Sequence, residues 1–211
     1  MWEYRLIWTA EAPAWWEHAW KNGEALIQRE GRKPEGRPDT YLVLKDRPDV
    51  GLKMRGGAEE EFEVKVLHQR KDGWELWEKF TFSRWNDLEA KRFAVTLQRD
   101  LPLAAVTSEG TPAAGVKKLL AGAGIDWFVQ LIEKRRMQAR ADELLPDFGE
   151  MIQPSWLAEL VEFRTQSDGR PVRSTCLETM SPGPNATPLE PEGALCAGYP
   201  HFLIKHLKGE I

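Results

Sequence analysis

GLKMRGGAEEEFEVKVLHQR, Gly51 to Arg70, reads as two β-strands joined by a short turn. The first strand is Leu52-Lys53-Met54-Arg55. Gly56-Gly57 and a run of glutamates follow, then Glu61-Phe62-Glu63-Val64-Lys65-Val66. Side chains alternate between the two faces of a strand. Lys53 and Arg55 therefore share a face opposite Leu52 and Met54. In the second strand Glu61, Glu63 and Lys65 share a face opposite Phe62, Val64 and Val66.

Such alternation has two readings. The charged face is solvated while the apolar face rests on a core, or the charged face lines a cavity. Two carboxylates two residues apart suit a divalent cation, which takes oxygen ligands. Lysine and arginine beside them suit phosphate oxygens. One hairpin does not decide between these readings. Recurrence of the pattern along the chain does.

Working outward, Trp2 to Thr9 alternates with Glu3 and Arg5 on one face and Trp2, Tyr4, Leu6 and Trp8 on the other, a strand. Pro13 can open a helix, and Ala14 to Glu30 carries Trp16, Ala19, Trp20 and Leu26 at helical spacing, broken near Gly23. Gly31 to Pro38 is a loop by its Gly and Pro content. Asp39 to Lys45 is a strand of β-formers. Beyond the hairpin, Lys71-Asp72-Gly73 marks a turn before a strand over Trp74 to Phe82, with Glu75, Trp77 and Lys79 on one face.

Ser83 is the expected N-cap of a helix over Asn86 to Leu97. Residues 99–112 are mixed, and Ala113 to Ala121 forms a short helix. Asp126 to Arg140 fits helix or strand and is taken as strand, with the Lys134-Arg135-Arg136 run mostly solvated. Asp142 to Gln153 connects it to a strand over Ser155 to Thr165, in which Glu162 and Arg164 share a face. Asp168-Gly169 signals a hairpin turn. Val172 to Met180 is a strand with Ser174, Cys176 and Glu178 together. Residues 181–197 form a long Pro- and Gly-rich loop that is mobile or covers an opening. Tyr199 to Lys208 closes the chain as a helix.

Composition bounds the function classes. The 211 residues suit one large domain. A net charge of −4 gives no overall basic footprint for nucleic acid, although a charged cavity would not show in that total. No apolar run approaches the ~20 residues of a membrane helix. The first residues lack an apolar leader segment, and two cysteines, Cys176 and Cys196, make no disulfide framework. A cytoplasmic protein is expected. Ten tryptophans are expected to fill an interface between sheet and helices.

The mixed-charge faces do recur: Glu3 with Arg5, Lys53 with Arg55, Glu61 and Glu63 with Lys65, Glu75 with Lys79, Glu162 with Arg164, and Glu178. A sheet closed into a barrel must point one set of faces inward. The helices need an apolar surface and would cover the Trp- and Phe-rich faces from outside. The expected fold is thus α+β: a closed or nearly closed antiparallel β-barrel of about eight strands with helices packed outside, one domain over 1–211. A charged bore needs a charged guest, because unpaired buried charge is expensive. A polyphosphate with a divalent metal satisfies both signs.

The chain resembles the CYTH superfamily of triphosphate tunnel metalloenzymes, eight-stranded antiparallel tunnels with charged bores. Glu61-Phe62-Glu63-Val64-Lys65 matches that family's Glu-x-Glu-x-Lys hallmark. Asp39-Thr40-Tyr41 and Leu52-Lys53-Met54-Arg55 resemble its Asp-x-Tyr and Leu-Arg-x-Arg strands, and the strand ending at Glu178 its closing strand. The family's hallmark stands on the first strand, where this chain has Glu3-Tyr4-Arg5. Chain order would instead make Lys65 the basic residue after the Leu-Arg-x-Arg strand. Both alignments keep Lys53, Arg55 and Lys65 as phosphate ligands.

The resemblance implies a hydrolase acting on inorganic triphosphate or a nucleoside triphosphate with Mg²⁺ or Mn²⁺. Glu61, Glu63 and Lys65 would be catalytic. Arg5, Lys53, Arg55, Lys65, Lys79 and Arg164 would bind substrate, and Glu61, Glu63 and Glu178 would hold metal. Other classes fit the same barrel: a degenerate module that binds a phosphorylated ligand without turnover, a lipocalin-like carrier with an apolar bore, or a partner-binding scaffold. Which faces point inward separates them. No Walker loop, nucleophile elbow or zinc spacing competes.

Overall fold

A computed structural model describes residues 1–55, 61–97, 110–165, 169–181, 189 and 193–211. The turn expected at Gly56-Gly57, the stretch 99–109, Asp168 of the expected hairpin turn, and 182–188 with 190–192 of the expected covering loop lie outside the described residues.

Eight strands close into an antiparallel barrel: β1 (Trp2–Trp8), β2 (Glu35–Leu44), β3 (Val50–Arg55), β4 (Phe62–Lys71), β5 (Trp74–Phe82), β6 (Trp127–Arg140), β7 (Leu157–Thr165) and β8 (Pro171–Thr179). The order around the barrel is β5-β4-β3-β2-β6-β7-β8-β1, and β1 pairs back onto β5 to close it. A two-residue strand, β9 (Leu195–Cys196), adds to β1 at Leu6 and Ile7. It falls in the stretch expected to be loop.

The pleat sorts the side chains by face. On β3, Gly51, Lys53 and Arg55 point into the bore, while Val50, Leu52 and Met54 lie in an outer apolar layer. On β1, Glu3 and Arg5 point inward, and Trp2, Tyr4, Leu6 and Trp8 join a second outer layer. That second layer takes Trp16, Ala19 and Trp20 from α1 (Ala14–Arg29) and Leu144 from α4 (Ala141–Leu144). The first takes Phe93 from α2 (Asp87–Thr96) and Val116, Leu119 and Leu120 from α3 (Pro112–Gly122). Charged faces inside and aromatic faces under helices are the arrangement expected. Six tryptophans sit in the second layer alone, where Trp74 meets Trp156 edge-on at 5.2 Å.

A third apolar cluster lies inside the barrel. α5 (Tyr199–Leu207) buries Tyr199, Phe202, Leu203 and Ile204 against Ile7, Val43, Ile132, Val161, Phe163 and Val172. These come from β1, β2, β6, β7 and β8. The C-terminal helix therefore stoppers one end of the bore.

Local boundaries differ from the expected ones for physical reasons. α1 runs unbroken through Gly23. A Cβ there would meet Leu144 Cδ1 at 2.8 Å and Met137 Cε at 3.1 Å, so this glycine permits close packing rather than a break. β2 begins at Glu35 and contains Pro38. Among the described residues, 35–38 pair only with β6, and proline is tolerated where one side needs no N–H. The cap of α2 is Asn86, not Ser83. Its side chain accepts from the Leu88 and Glu89 amides at 3.0 Å each. The connection after β6 holds α4 and a 3-10 turn over Pro146–Met151.

α3 approaches the barrel through Gly115. A Cβ there would lie 2.0 Å from Trp85 Nε1, and Trp85 is 4% exposed with Phe82 and Phe93 around it. Gly115→Ala is expected to destabilise by about 1–3 kcal/mol, the range for overpacking a filled core. A urea melt with unchanged slope and a lowered midpoint would register it. A midpoint equal to wild type would mean that α3 does not seat on Trp85.

Candidate functional site

The bore holds a cavity of about 360 Å³. Among the described residues, eight basic ones line it: Arg5, Arg37, Lys53, Arg55, Lys65, Lys79, Lys134 and Arg136. Four described acids line it: Glu3, Glu63, Glu159 and Glu178. A protein of net charge −4 thus encloses a bore with an excess of cations. The register places Lys53 opposite Glu63, whereas like charges face each other at Lys65 and Lys79 and at Glu3 and Glu178.

Glu63 pairs with three cations. Its carboxylate, 2% exposed, lies 2.9 Å from Lys53 Nζ, 2.6 Å from Arg55 Nη2 and 2.8 Å from Lys79 Nζ. Burial pushes its pKa up, but Lys53, Lys79 and Arg55 outweigh burial and hold it far below the usual carboxylate range. Lys53 is also within 4.0 Å of Asp39. Burial, the larger influence, leaves the Lys53 ammonium below its ordinary pKa despite both carboxylates.

A second group surrounds Arg5. Its Nη1 donates to Glu159 Oε1 at 3.0 Å and to Ser174 Oγ at 3.2 Å, and its guanidinium lies over the Tyr199 ring at 4.3 Å. Arg136 meets the other Glu159 oxygen at 2.7 Å. Burial opposes ionisation of Glu159, yet Arg5, Arg136 and Lys134 bring its pKa down to about 2. Lys65 donates to Glu3. Against the cost of burial, that contact and Arg5 keep Glu3 ionised, and Glu3 keeps the Lys65 ammonium charged.

Asp39, fully buried, binds Arg37 at 2.8 Å and Lys134 at 3.1 Å. Lys134 also donates to Tyr41 Oη at 2.8 Å. Glu178 differs from the other acids. It takes a hydrogen bond from Gln138 at 3.3 Å, and burial, with Glu159 and Glu3 adding repulsion, raises its pKa.

The structure brings Arg5, Lys53, Arg55, Glu63, Lys65, Lys79 and Glu178 to one cavity. It does not bring Glu61 or Arg164. Glu61 precedes β4 and is exposed. Arg164 is exposed, and its Nη1 donates to the Gly169 carbonyl at 2.9 Å. On β7 the inward positions are Leu157, Glu159 and Val161, so Glu162 and Arg164 fall on the outer face. Arg37, Lys134, Arg136, Glu159 and Tyr199 were not anticipated in the bore. Alternation through Ile132-x-Lys134-x-Arg136-x-Gln138 was the signal available for two of them.

A Mg²⁺ or Mn²⁺ ion needs several oxygen ligands converging on one point. Among the described residues no three Asp, Glu, His or Cys side chains converge in that way. Glu3, Glu63, Glu159 and Asp39 are each bound to ammonium or guanidinium groups instead. The expected set of Glu61, Glu63 and Glu178 is dispersed, and these residues do not fit a resident divalent ion. What the arrangement can do is surround an anion with cations, several of them largely buried. Nor is the cavity an apolar one. The phenylalanines inside the barrel are packed with the α5 stopper.

No protein-family model matches the chain, and no curated protein matches it. Among solved structures it is similar to the PH1012 protein of Pyrococcus horikoshii OT3, at 10% identity and a TM-score of 0.40 over 98% of this chain and 88% of that one. A conserved hypothetical protein of Pyrococcus furiosus overlays at 9% identity and a TM-score of 0.41, covering 98% and 90%. A Bacillus halodurans protein provisionally named an adenylate cyclase overlays at 10% and 0.34, covering 85% and 81%. Such values carry no activity across to this chain. No described helix is long and apolar enough to cross a membrane.

Proposed function

We propose that the barrel binds a small polyphosphate anion, inorganic triphosphate or the triphosphate of a nucleotide, in its one-ended bore. The excess of cations over carboxylates around the cavity carries this reading. The likeness of Asp39-Thr40-Tyr41, Lys53, Arg55 and Lys65 to CYTH strand motifs supports it. Each Lys or Arg would exchange part of its contact with a carboxylate for a phosphate oxygen. Mg²⁺ or Mn²⁺ would enter as a counter-ion of the ligand rather than as a resident of the protein.

Hydrolysis of the bound anhydride is the second reading. Glu178 favours it, being a bore carboxyl with a raised pKa and a neutral partner, so placed to accept a proton from water. Release of inorganic phosphate, with and without divalent metal, separates an enzyme from a binding module.

The first test is thermal stability with inorganic triphosphate. A ligand at 100 times its dissociation constant adds about 2.7 kcal/mol, which for a domain of this size is roughly a 5–10 °C rise in Tm. Lys65→Ala is expected to weaken binding about 10–100-fold, the loss of one charged contact. No shift at millimolar triphosphate would end the polyphosphate reading, and an unchanged Lys65→Ala affinity would remove that residue from the site.

A further inference from the structure

The charged groups at the stoppered end of the bore do not balance. Lys134 stands there, buried, its ammonium 4.2 Å from the centre of the Tyr199 ring and 2.8 Å from Tyr41 Oη. Both tyrosines belong to the apolar cluster that seats α5. Charged or titratable groups face Lys134 from several elements: Arg5 from β1, Arg37, Asp39 and Tyr41 from β2, Lys53 from β3, Glu159 from β7, and Tyr199 from α5. The two carboxylates are shared. Asp39 already serves Arg37 and Lys53, and Glu159 already serves Arg5 and Arg136.

An ammonium so enclosed is short of negative charge. Burial is the main cause and Lys53 the next; against Asp39 and Glu159 they bring the Lys134 pKa down to about 7. An anion in the cavity supplies what is missing, because nearby negative charge favours the charged form of an amine.

We propose that Lys134 is the ligand contact at the floor of the bore and that entry of the anion is coupled to uptake of one proton by its amine. This rests on the polyphosphate reading. The sign follows from linkage. Below about pH 7 the amine is already charged and binding needs no proton. Above it the ligand must first recruit one, so affinity falls with rising pH, by up to tenfold per unit while the free protein's amine stays neutral. The bore thereby selects for anions that reach Lys134, since a ligand stopping at Lys79 near the mouth gains nothing from this proton.

The test is calorimetric titration of inorganic triphosphate into the full chain at pH 8 in two buffers of different ionisation heat. It compares wild type with Lys134→Arg and Lys134→Met. The ligand's own protonation is common to all three proteins, so the difference belongs to Lys134. Wild type is expected to take up more protons per ligand than either variant. Lys134→Arg, charged at every pH, should lose less affinity than wild type between pH 6.5 and pH 8.5. Lys134→Met should bind weakly at both. Equal proton uptake in wild type and Lys134→Arg overturns the coupling while leaving triphosphate binding intact. Absence of binding by folded wild type at both pH 6.5 and pH 8 removes the polyphosphate reading and this inference with it. If Lys134→Met does not fold, the wild-type and Lys134→Arg pair decides alone.

Discussion

Glu63→Gln is expected to cost roughly 3–5 kcal/mol of stability, the range for breaking a buried ion pair from one side. The Glu63 carboxylate is 2% exposed and is the common partner of Lys53, Arg55 and Lys79. Glutamine keeps the shape and removes the charge, so three cations face one another across β3, β4 and β5. Two readouts separate this account from simple misfolding. Triphosphate should stabilise Glu63→Gln more than it stabilises wild type, because the ligand restores negative charge among the stranded cations. The acid limb should also change. In wild type the folded-state pKa of Glu63 lies below its unfolded value, so its contribution is present above about pH 4.5 and is lost as pH falls further. The variant should lose stability less steeply there. A stability within 1 kcal/mol of wild type, or equal stabilisation by triphosphate, would show that Glu63 is not the charge that holds this cluster together.

Most of the barrel was legible because its strands have two chemically distinct faces. Trp2 to Trp8 and the Gly51–Arg70 hairpin alternate cleanly, and the logic of helices outside and charges inside follows from that. The segment now seen as β6 fitted helix or strand by periodicity. Turn residues around it, rather than its own pattern, favoured strand. Less legible were features set by tertiary contact. Gly23 looked like a helix breaker until Leu144 and Met137 stood against it. Pro38 looked like loop because a single-sided pairing is invisible in a sequence.

The site divides in the same way. Where a strand had one apolar face and one charged face, the inward residues could be named: Lys53, Arg55, Glu63, Lys65 and Lys79. Where both faces were apolar or both basic, they could not. Lys134-Arg135-Arg136 puts basic groups on each side, and only the register shows Arg135 outside beside Glu24 while Lys134 and Arg136 turn in. Leu157 to Thr165 is worse, since Val161 and Phe163 are inward and apolar. They are apolar because α5 must rest on them. Choosing the more charged face of that strand selected Glu162 and Arg164, whereas Glu159 reaches the bore. The stopper changes the rule that the inside is charged, and it acts from residues forty positions along the chain.

Phe202→Ala is the variant that tests the stopper itself, with an expected cost of about 3–5 kcal/mol, typical of emptying a phenylalanine site in a core. Phe202 is fully buried, edge-on to Phe163 at 5.7 Å and stacked on His206 at 5.7 Å. The surrounding wall is barrel strand, held by pairing on both sides, so it cannot collapse into the void. Leu207→Ala, on the same helix but 39% exposed, should stay within about 0.5 kcal/mol. The difference in urea midpoint between the two variants measures how firmly α5 is seated. Its consequence reaches the ligand site. Tyr199 lies one turn before Phe202 and carries both Arg5 and Lys134 against its ring. Loosening the helix should therefore also weaken triphosphate binding, even though Phe202 is not among the residues that line the bore cavity. If Phe202→Ala is as stable as Leu207→Ala, α5 is an appendage and the bore is open at both ends. If it is destabilised but binds triphosphate normally, the stopper holds the barrel without setting the floor of the site, and Lys134 would have to find its ligand independently of Tyr199.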